Sequence, residues 1–312
     1  MNRRQFTQSL AGAALGTAAL SASALASPAG PASTESTVPF KFSVMLWTVF
    51  RERPVDPRLD WNVYLNLPFE QQLEKMAEAG YGAVEPATEY QHWGDEDFRR
   101  ARSIRRSLNI EFDAMGGLGL EVLDSNGMDS FLGRLRAGLP IAEKLECKTV
   151  VTLSGNRIEG LSRATQHETC VETLKRAGDI MAEHGSTLLL ENIDPEENPS
   201  VYLTSVAEGF EIIHKVDNPH VKLLCDLYHE QVAEGNLIEK LSNNIDSLGL
   251  VHIADVPGRH EPGTGEINYA NIFRKLAELK YSRYAAMEYL PTSDPVQSLR
   301  AARELAIRAV NR

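Results

Sequence analysis

The chain has 312 residues, 43% of them hydrophobic, a formal net charge of −11 and three cysteines. That length and apolar content suffice for a full core, in one large domain or two modest ones. The acidic balance excludes the basic footprint of a nucleic-acid binder, and three cysteines are too few, and odd in number, for a disulfide framework.

Residues 1–26 read as a leader. Arg3-Arg4-Gln5-Phe6 precedes a weakly apolar Ala/Gly-rich stretch at 11–20, and Ala24-Leu25-Ala26 offers a small-residue cleavage site. This is the pattern of a twin-arginine export signal, so the expected partner is the twin-arginine export machinery and the expected location periplasmic or secreted. An Ala/Gly-rich segment is a poor bilayer span, so no stable membrane anchor is expected. Cleavage after Ala26 removes two arginines and no acid, taking the charge from −11 to −13. Residues 27–40 form a spacer rich in Ser, Pro, Ala and Thr.

From residue 41 to 312, strand-like and helix-like segments alternate. The first strand is expected at 42–47, ending in Trp47. A loop through Pro54, Pro57 and Pro68 leads to a helix at 70–79 stopped by Gly80. Strands follow at 82–86, 110–114 and 148–153, with helices at 95–108, 128–145 and 165–183. Four further units place strands at 187–190, 221–225, 248–251 and 284–287, with helices at 203–214, 237–243, 269–279 and 295–309. Eight such pairs predict a single-domain α/β fold, a closed (β/α)₈ barrel. An open doubly wound sheet is disfavoured, because no Gly-x-Gly-x-x-Gly follows the first strand.

One polar residue ends each of the last four strands: Glu191, Asp226, His252 and Glu288, spaced by 35, 26 and 36 residues. A βαβ repeat takes roughly thirty residues, so parallel strands bring three carboxylates and an imidazole to one rim. Ionised groups that close repel unless a cation lies between them. The donor set is mainly hard oxygen, which suits manganese, with magnesium or cobalt possible. Two adjacent coordination positions would remain for vicinal oxygens of a hydroxycarbonyl substrate. Glu191 and Glu288 each keep an oxygen for proton transfer, one removing and the other returning a proton.

Other polar residues are expected on the same rim. His229, three residues past Asp226, could donate to a substrate oxygen. Arg259, in Pro257-Gly258-Arg259-His260-Glu261-Pro262, could hold an anionic oxygen or simply pair with Glu261. Glu85 and Trp47, at the ends of the second and first strands, could line the mouth.

The run from His252-Ile253-Ala254-Asp255 through Gly265-Glu266-Ile267-Asn268-Tyr269 resembles the strand-seven signature of hydroxypyruvate isomerases, within the xylose isomerase-like barrel superfamily. Glu191-Asn192, Asp226-x-x-His229 and Met287-Glu288-Tyr289 match its other positions. The resemblance implies a (β/α)₈ barrel with Glu191 and Glu288 as the catalytic pair. It also implies a metal on Glu191, Asp226, His252 and Glu288, with His229 and Arg259 on substrate. The implied reaction interconverts hydroxypyruvate and tartronate semialdehyde through an enediol. A ketose 3-epimerase, a sugar isomerase or a keto-glycoside lyase stands as the alternative, favoured by His252 and the export signal, and a non-catalytic sugar-binding barrel as a third. The apurinic endonucleases of the superfamily need histidines after strands three and four. Here those positions read Ala114-Met115-Gly116-Gly117 and Leu153-Ser154-Gly155-Asn156.

Overall fold

Strands buried on both faces read as unbroken apolar runs, and the second half of the chain supplies four of them. A computed structural model describes residues 38–49 and 67–312. The expected leader, the spacer as far as residue 37, and the loop carrying Pro54 and Pro57 lie outside these residues. The strands are β1 Lys41–Val44, β2 Ala83–Val84, β3 Glu111–Phe112, β4 Thr149–Leu153, β5 Thr187–Glu191, β6 Val221–Asp226, β7 Leu248–Ile253 and β8 Tyr284–Met287. The barrel helices are α1 Phe69–Ala79, α2 Asp95–Ser107, α3 Met128–Leu145, α4 Arg163–Glu183, α5 Val206–Val216, α6 Leu237–Asn244, α7 Tyr269–Glu278 and α8 Pro295–Val310.

Six strands pair in the order β1-β8-β7-β6-β5-β4, and β2 pairs with β3. Parallel bridges Met45–Glu85 and Met115–Val150 join the two pieces, so the ring closes in chain order. Helix ends follow local chemistry. Gly80, at φ 87°, closes α1 in the left-handed conformation as expected, and the Ser162 hydroxyl accepts from the Thr165 N–H to start α4.

The first strand is shorter than expected. β1 stops at Val44, and residues Leu46–Val49 form a single helical turn that carries Trp47. Val44, not Trp47, therefore ends the first strand, and Met45 beyond it makes the isolated bridge to Glu85. A second correction concerns the segment after β6, where Leu227–Ala233 is a separate short helix and α5 starts at Val206 rather than 203.

Inside the barrel, Ala114, Val151, Leu189, Leu224, Leu250 and Ala286 form a buried belt. The larger apolar cluster contains Leu188 and Leu190 of β5 together with helix residues such as Leu174, Phe210 and Ile213. Side chains on a strand alternate, so the residue two beyond a belt position faces inward again. Two beyond Leu189, Leu224, Leu250 and Ala286 stand Glu191, Asp226, His252 and Glu288. The belt thus sets the height and direction of the four polar residues.

Candidate active site

One donor atom from each of Glu191, Asp226, His252 and Glu288 falls within 4.8 Å of all the others, and all four residues are buried. The residues expected to converge do so.

His252 is held from behind. Its Nε2 lies 2.9 Å from Oε2 of Glu85, which comes from β2 and is fully buried. An ionised carboxylate only accepts, so Nε2 carries the proton and Nδ1 presents a lone pair to the rim. That nitrogen lies 2.6 Å from Glu288 Oε2 and 3.3 Å from Glu191 Oε1. Despite the short distances, neither His252 Nδ1 nor Glu288 Oε2 has a hydrogen-bond partner of proper geometry. Three lone-pair donors facing one another in a buried site require a proton or a cation among them. Without an ion the imidazole takes the proton. Burial opposes its charging, but Glu288 and Glu85 outweigh burial and raise its pKa well above the usual value. The donor set and its orphaned atoms fit a divalent ion bound through Nδ1, with Glu85 fixing the tautomer. Glu85 thus sits behind the imidazole. Glu85→Gln is expected to weaken divalent-metal affinity about 10–100-fold, read by calorimetric titration.

The two glutamates differ in surroundings. Burial, then the negative charges of Glu288 and Asp226, raise the Glu191 pKa against the pull of His252. Burial also acts upward on Glu288, but Arg259 and His252 outweigh it and hold that carboxyl well below the usual range. Asp226 is anchored by its own chain. Its Oδ1 accepts from the N–H groups of Tyr228 (2.7 Å) and His229 (3.1 Å), capping the short helix and leaving Oδ2 for the rim. The Asn192 side chain ties β5 to β6 by accepting from the Asp226 N–H at 3.0 Å and donating to its carbonyl at 3.3 Å.

His229 is buried, with Nδ1 2.6 Å from Asp194 Oδ2 and an unpartnered Nε2 3.4 Å from Asp226 Oδ2. Burial pushes its pKa down, but Asp226 and Asp194 outweigh that and bring it to about 9. Asp194 is itself fixed by the N–H groups of Glu196 and Glu197 at 2.8 and 2.9 Å. Sequence reasoning missed Asp194, which looks like one more acid of a polar loop.

Arg259 reaches Glu288 Oε1 at 2.7 Å, Asp226 Oδ2 at 3.2 Å and Glu197 Oε2 at 3.0 Å, over the ring of Tyr228. The alternative pairing with Glu261 does not occur. Glu261 instead accepts from the Thr292 N–H and hydroxyl at 2.9 and 2.6 Å.

The loop carrying Arg259 folds around Asp255, a residue left without a role in the sequence. Asp255 is fully buried and accepts from four backbone N–H groups, those of Val256, Gly263, Gly265 and Ile267, at 2.9–3.0 Å. Gly265 must lack a side chain here, since a Cβ would fall 2.0 Å from the Val256 carbonyl oxygen. Asp255→Ala strands several buried donors at ~1–3 kcal/mol each, partly relieved by loop rearrangement. A loss of about 3 kcal/mol in chemical denaturation is expected, with Asp255→Asn intermediate.

A cavity of about 290 Å³ opens beside Glu191 and Glu85, walled by Met45, Leu120, Val151 and Leu153. A second, of about 270 Å³, lies at the opposite mouth of the barrel. Its acid, Asp113, is pushed up to about 7 by burial and by Glu85.

A model of the xylose isomerase-like TIM barrel family matches residues 73–309, about three quarters of the chain. The chain belongs to that family. Within it, this barrel is 30% identical over 249 residues to a putative hydroxypyruvate isomerase of Danio rerio, covering 75% of this chain and 88% of that one. It is 30% identical over 244 residues to a 2-oxo-tetronate isomerase of Haemophilus influenzae, covering 76% and 93%. A solved structure named as an AP endonuclease of family 2 from Brucella melitensis superposes with a TM-score of 0.70 at 28% identity, over 83% of this chain and 96% of that one. The family member described here is an isomerase.

Proposed function

We propose that this isomerase moves a proton between the two carbons of a small hydroxycarbonyl compound through an enediolate, using a divalent ion held by Glu191, Asp226, His252 and Glu288. Named relatives acting on hydroxypyruvate and 2-oxo-tetronate support the compound class. Glu191 and Glu288, from β5 and β8, meet His252 Nδ1 from either side at 3.3 and 2.6 Å, and this juxtaposition carries the reading. The hard oxygen donors favour manganese, with magnesium or cobalt as substitutes. When bound, the ion polarises the substrate's carbonyl and hydroxyl oxygens as a Lewis acid.

The chain's own groups do the rest. One glutamate accepts the proton from the carbon between hydroxyl and carbonyl, and the other delivers a proton to the neighbouring carbon or the opposite face. Arg259 and the free Nε2 of His229 face the oxygens on which negative charge develops. Burial of Glu191, Asp226, His229, His252 and Glu288 keeps water from quenching the enediolate. Incubating the manganese-loaded protein with substrate in deuterated water tests the reading. Deuterium is expected at the carbon beside the carbonyl, and absence of exchange with every hydroxycarbonyl compound offered would refute it.

Export through the twin-arginine route is part of the same proposal, because a folded passenger takes its metal before leaving the cytoplasm. Arg3→Lys with Arg4→Lys should then leave uncleaved protein in the cytoplasm. Equal abundance outside would sink the export reading.

A further inference from the structure

The belt that aims four polar residues at one mouth of the barrel aims a second polar layer at the other. Two residues before Val151, Leu189, Leu224 and Ala286 stand Thr149, Thr187, Lys222 and Tyr284, and the two-residue alternation turns them inward as well. Thr149, Thr187 and Tyr284 wall the cavity of about 270 Å³ at that mouth, with Leu189 and Leu250 as its apolar floor. This volume is just under the roughly 300 Å³ at which pockets for drug-sized ligands begin, and it suits a molecule of amino-acid size.

The two ends of this cavity carry opposite charge. Asp113 lines it and is only 8% exposed. Among the described residues neither of its carboxylate oxygens has a hydrogen-bond partner, and the Ser43 hydroxyl beside it does not meet it in bonding geometry. A buried acceptor left this way costs stability unless a donor or a cation reaches it. Burial and the negative charge of Glu85 both disfavour its ionised form, so an ammonium group meets its need better than a hydroxyl, which brings no charge. Toward solvent the sign reverses. Lys41 and Arg283, both exposed, line the same cavity. Lys41 divides its charge with Glu111 at 3.2 Å, while that of Arg283 reaches Lys222, whose pKa is lowered by burial and then by this neighbour. A lone cation would be repelled at this entrance, and a lone anion would meet the acid inside. A molecule carrying both charges a few bonds apart satisfies the two ends through charge-assisted hydrogen bonds.

We propose that this cavity binds a small zwitterion of the α-amino acid class, its ammonium group on Asp113 and its carboxylate between Lys41 and Arg283, at a site separate from the four strand-end residues. This site does not depend on the enolising chemistry above. Calorimetric titration of the purified, manganese-loaded protein at neutral pH with L-alanine, L-serine and L-valine tests it. Three controls accompany them: lactate, which has a hydroxyl in place of the ammonium group, and ethylamine and propionate, which carry one charge each. At least one amino acid is expected to bind once per chain, about tenfold or more tightly than any control. Asp113→Asn and Arg283→Gln should each weaken that binding about tenfold or more, while Arg283→Gln leaves manganese affinity at the strand ends unchanged. If Asp113→Asn does not fold, the Arg283→Gln result decides. No heat with any of the three amino acids overturns the proposal, and so does lactate binding as tightly as the amino acid. An amino acid held on the manganese instead would be lost on Glu288→Gln and unchanged by Arg283→Gln, which likewise overturns it.

Discussion

Glu288→Gln is expected to cut turnover and solvent deuterium exchange by about 10³-fold, the span usual for a lost general acid or base. The change keeps the side chain's volume and one of its oxygens, so packing against Arg259 survives and the fold should melt within a few degrees of wild type. What disappears is the second acceptor oxygen and the negative charge that Arg259 and His252 hold in place. A rate loss of that size equals ~4 kcal/mol of transition-state stabilisation. Glu191→Gln should be comparably damaging, because a proton removed at one carbon must still be returned at the next. If one glutamine variant retains near wild-type exchange, that glutamate binds metal without moving a proton.

The second large effect concerns the ion itself. A chelator should abolish turnover completely, and manganese should restore it. The same treatment should lower the melting temperature, since a ligand at about a hundred times its Kd contributes ~2.7 kcal/mol, or roughly 5 °C or more for a domain this large. The pH dependence has a definite sign. In the ion-free site the His252 pKa is raised, so that nitrogen holds a proton which the metal must displace. Metal affinity is therefore expected to weaken as pH falls and to strengthen as pH rises through the raised value, with proton release visible as a buffer-dependent heat in calorimetry. Affinity that does not change with pH would mean that His252 is not a ligand.

Much of this site is legible in the sequence because it rests on a two-residue alternation. Glu191, Asp226, His252 and Glu288 each follow an apolar strand, and the belt residues Leu189, Leu224, Leu250 and Ala286 make that face point inward. Nothing comparable marks the end of β1. The run from Phe42 to Trp47 reads as one strand, since a short apolar segment has the same signature whether it continues extended or turns into a helix. The supporting residues are hidden for a different reason. Glu85 is 167 positions from His252, so that pairing exists only once the ring has closed, and Asp194 is 35 from His229, so theirs exists only once β5 and β6 lie side by side. Asp255 stands in a recognisable motif, but its four backbone partners belong to a loop conformation that no periodicity encodes.

Manganese titration of the purified, chelator-stripped protein, followed by elemental analysis, bears most directly on the site. One tightly held divalent ion per chain is expected, with His252→Ala and Asp226→Ala each reducing occupancy to background. A wild-type protein that takes up no ion, or variants that bind it as well as wild type, would contradict the assignment of the four strand-end residues.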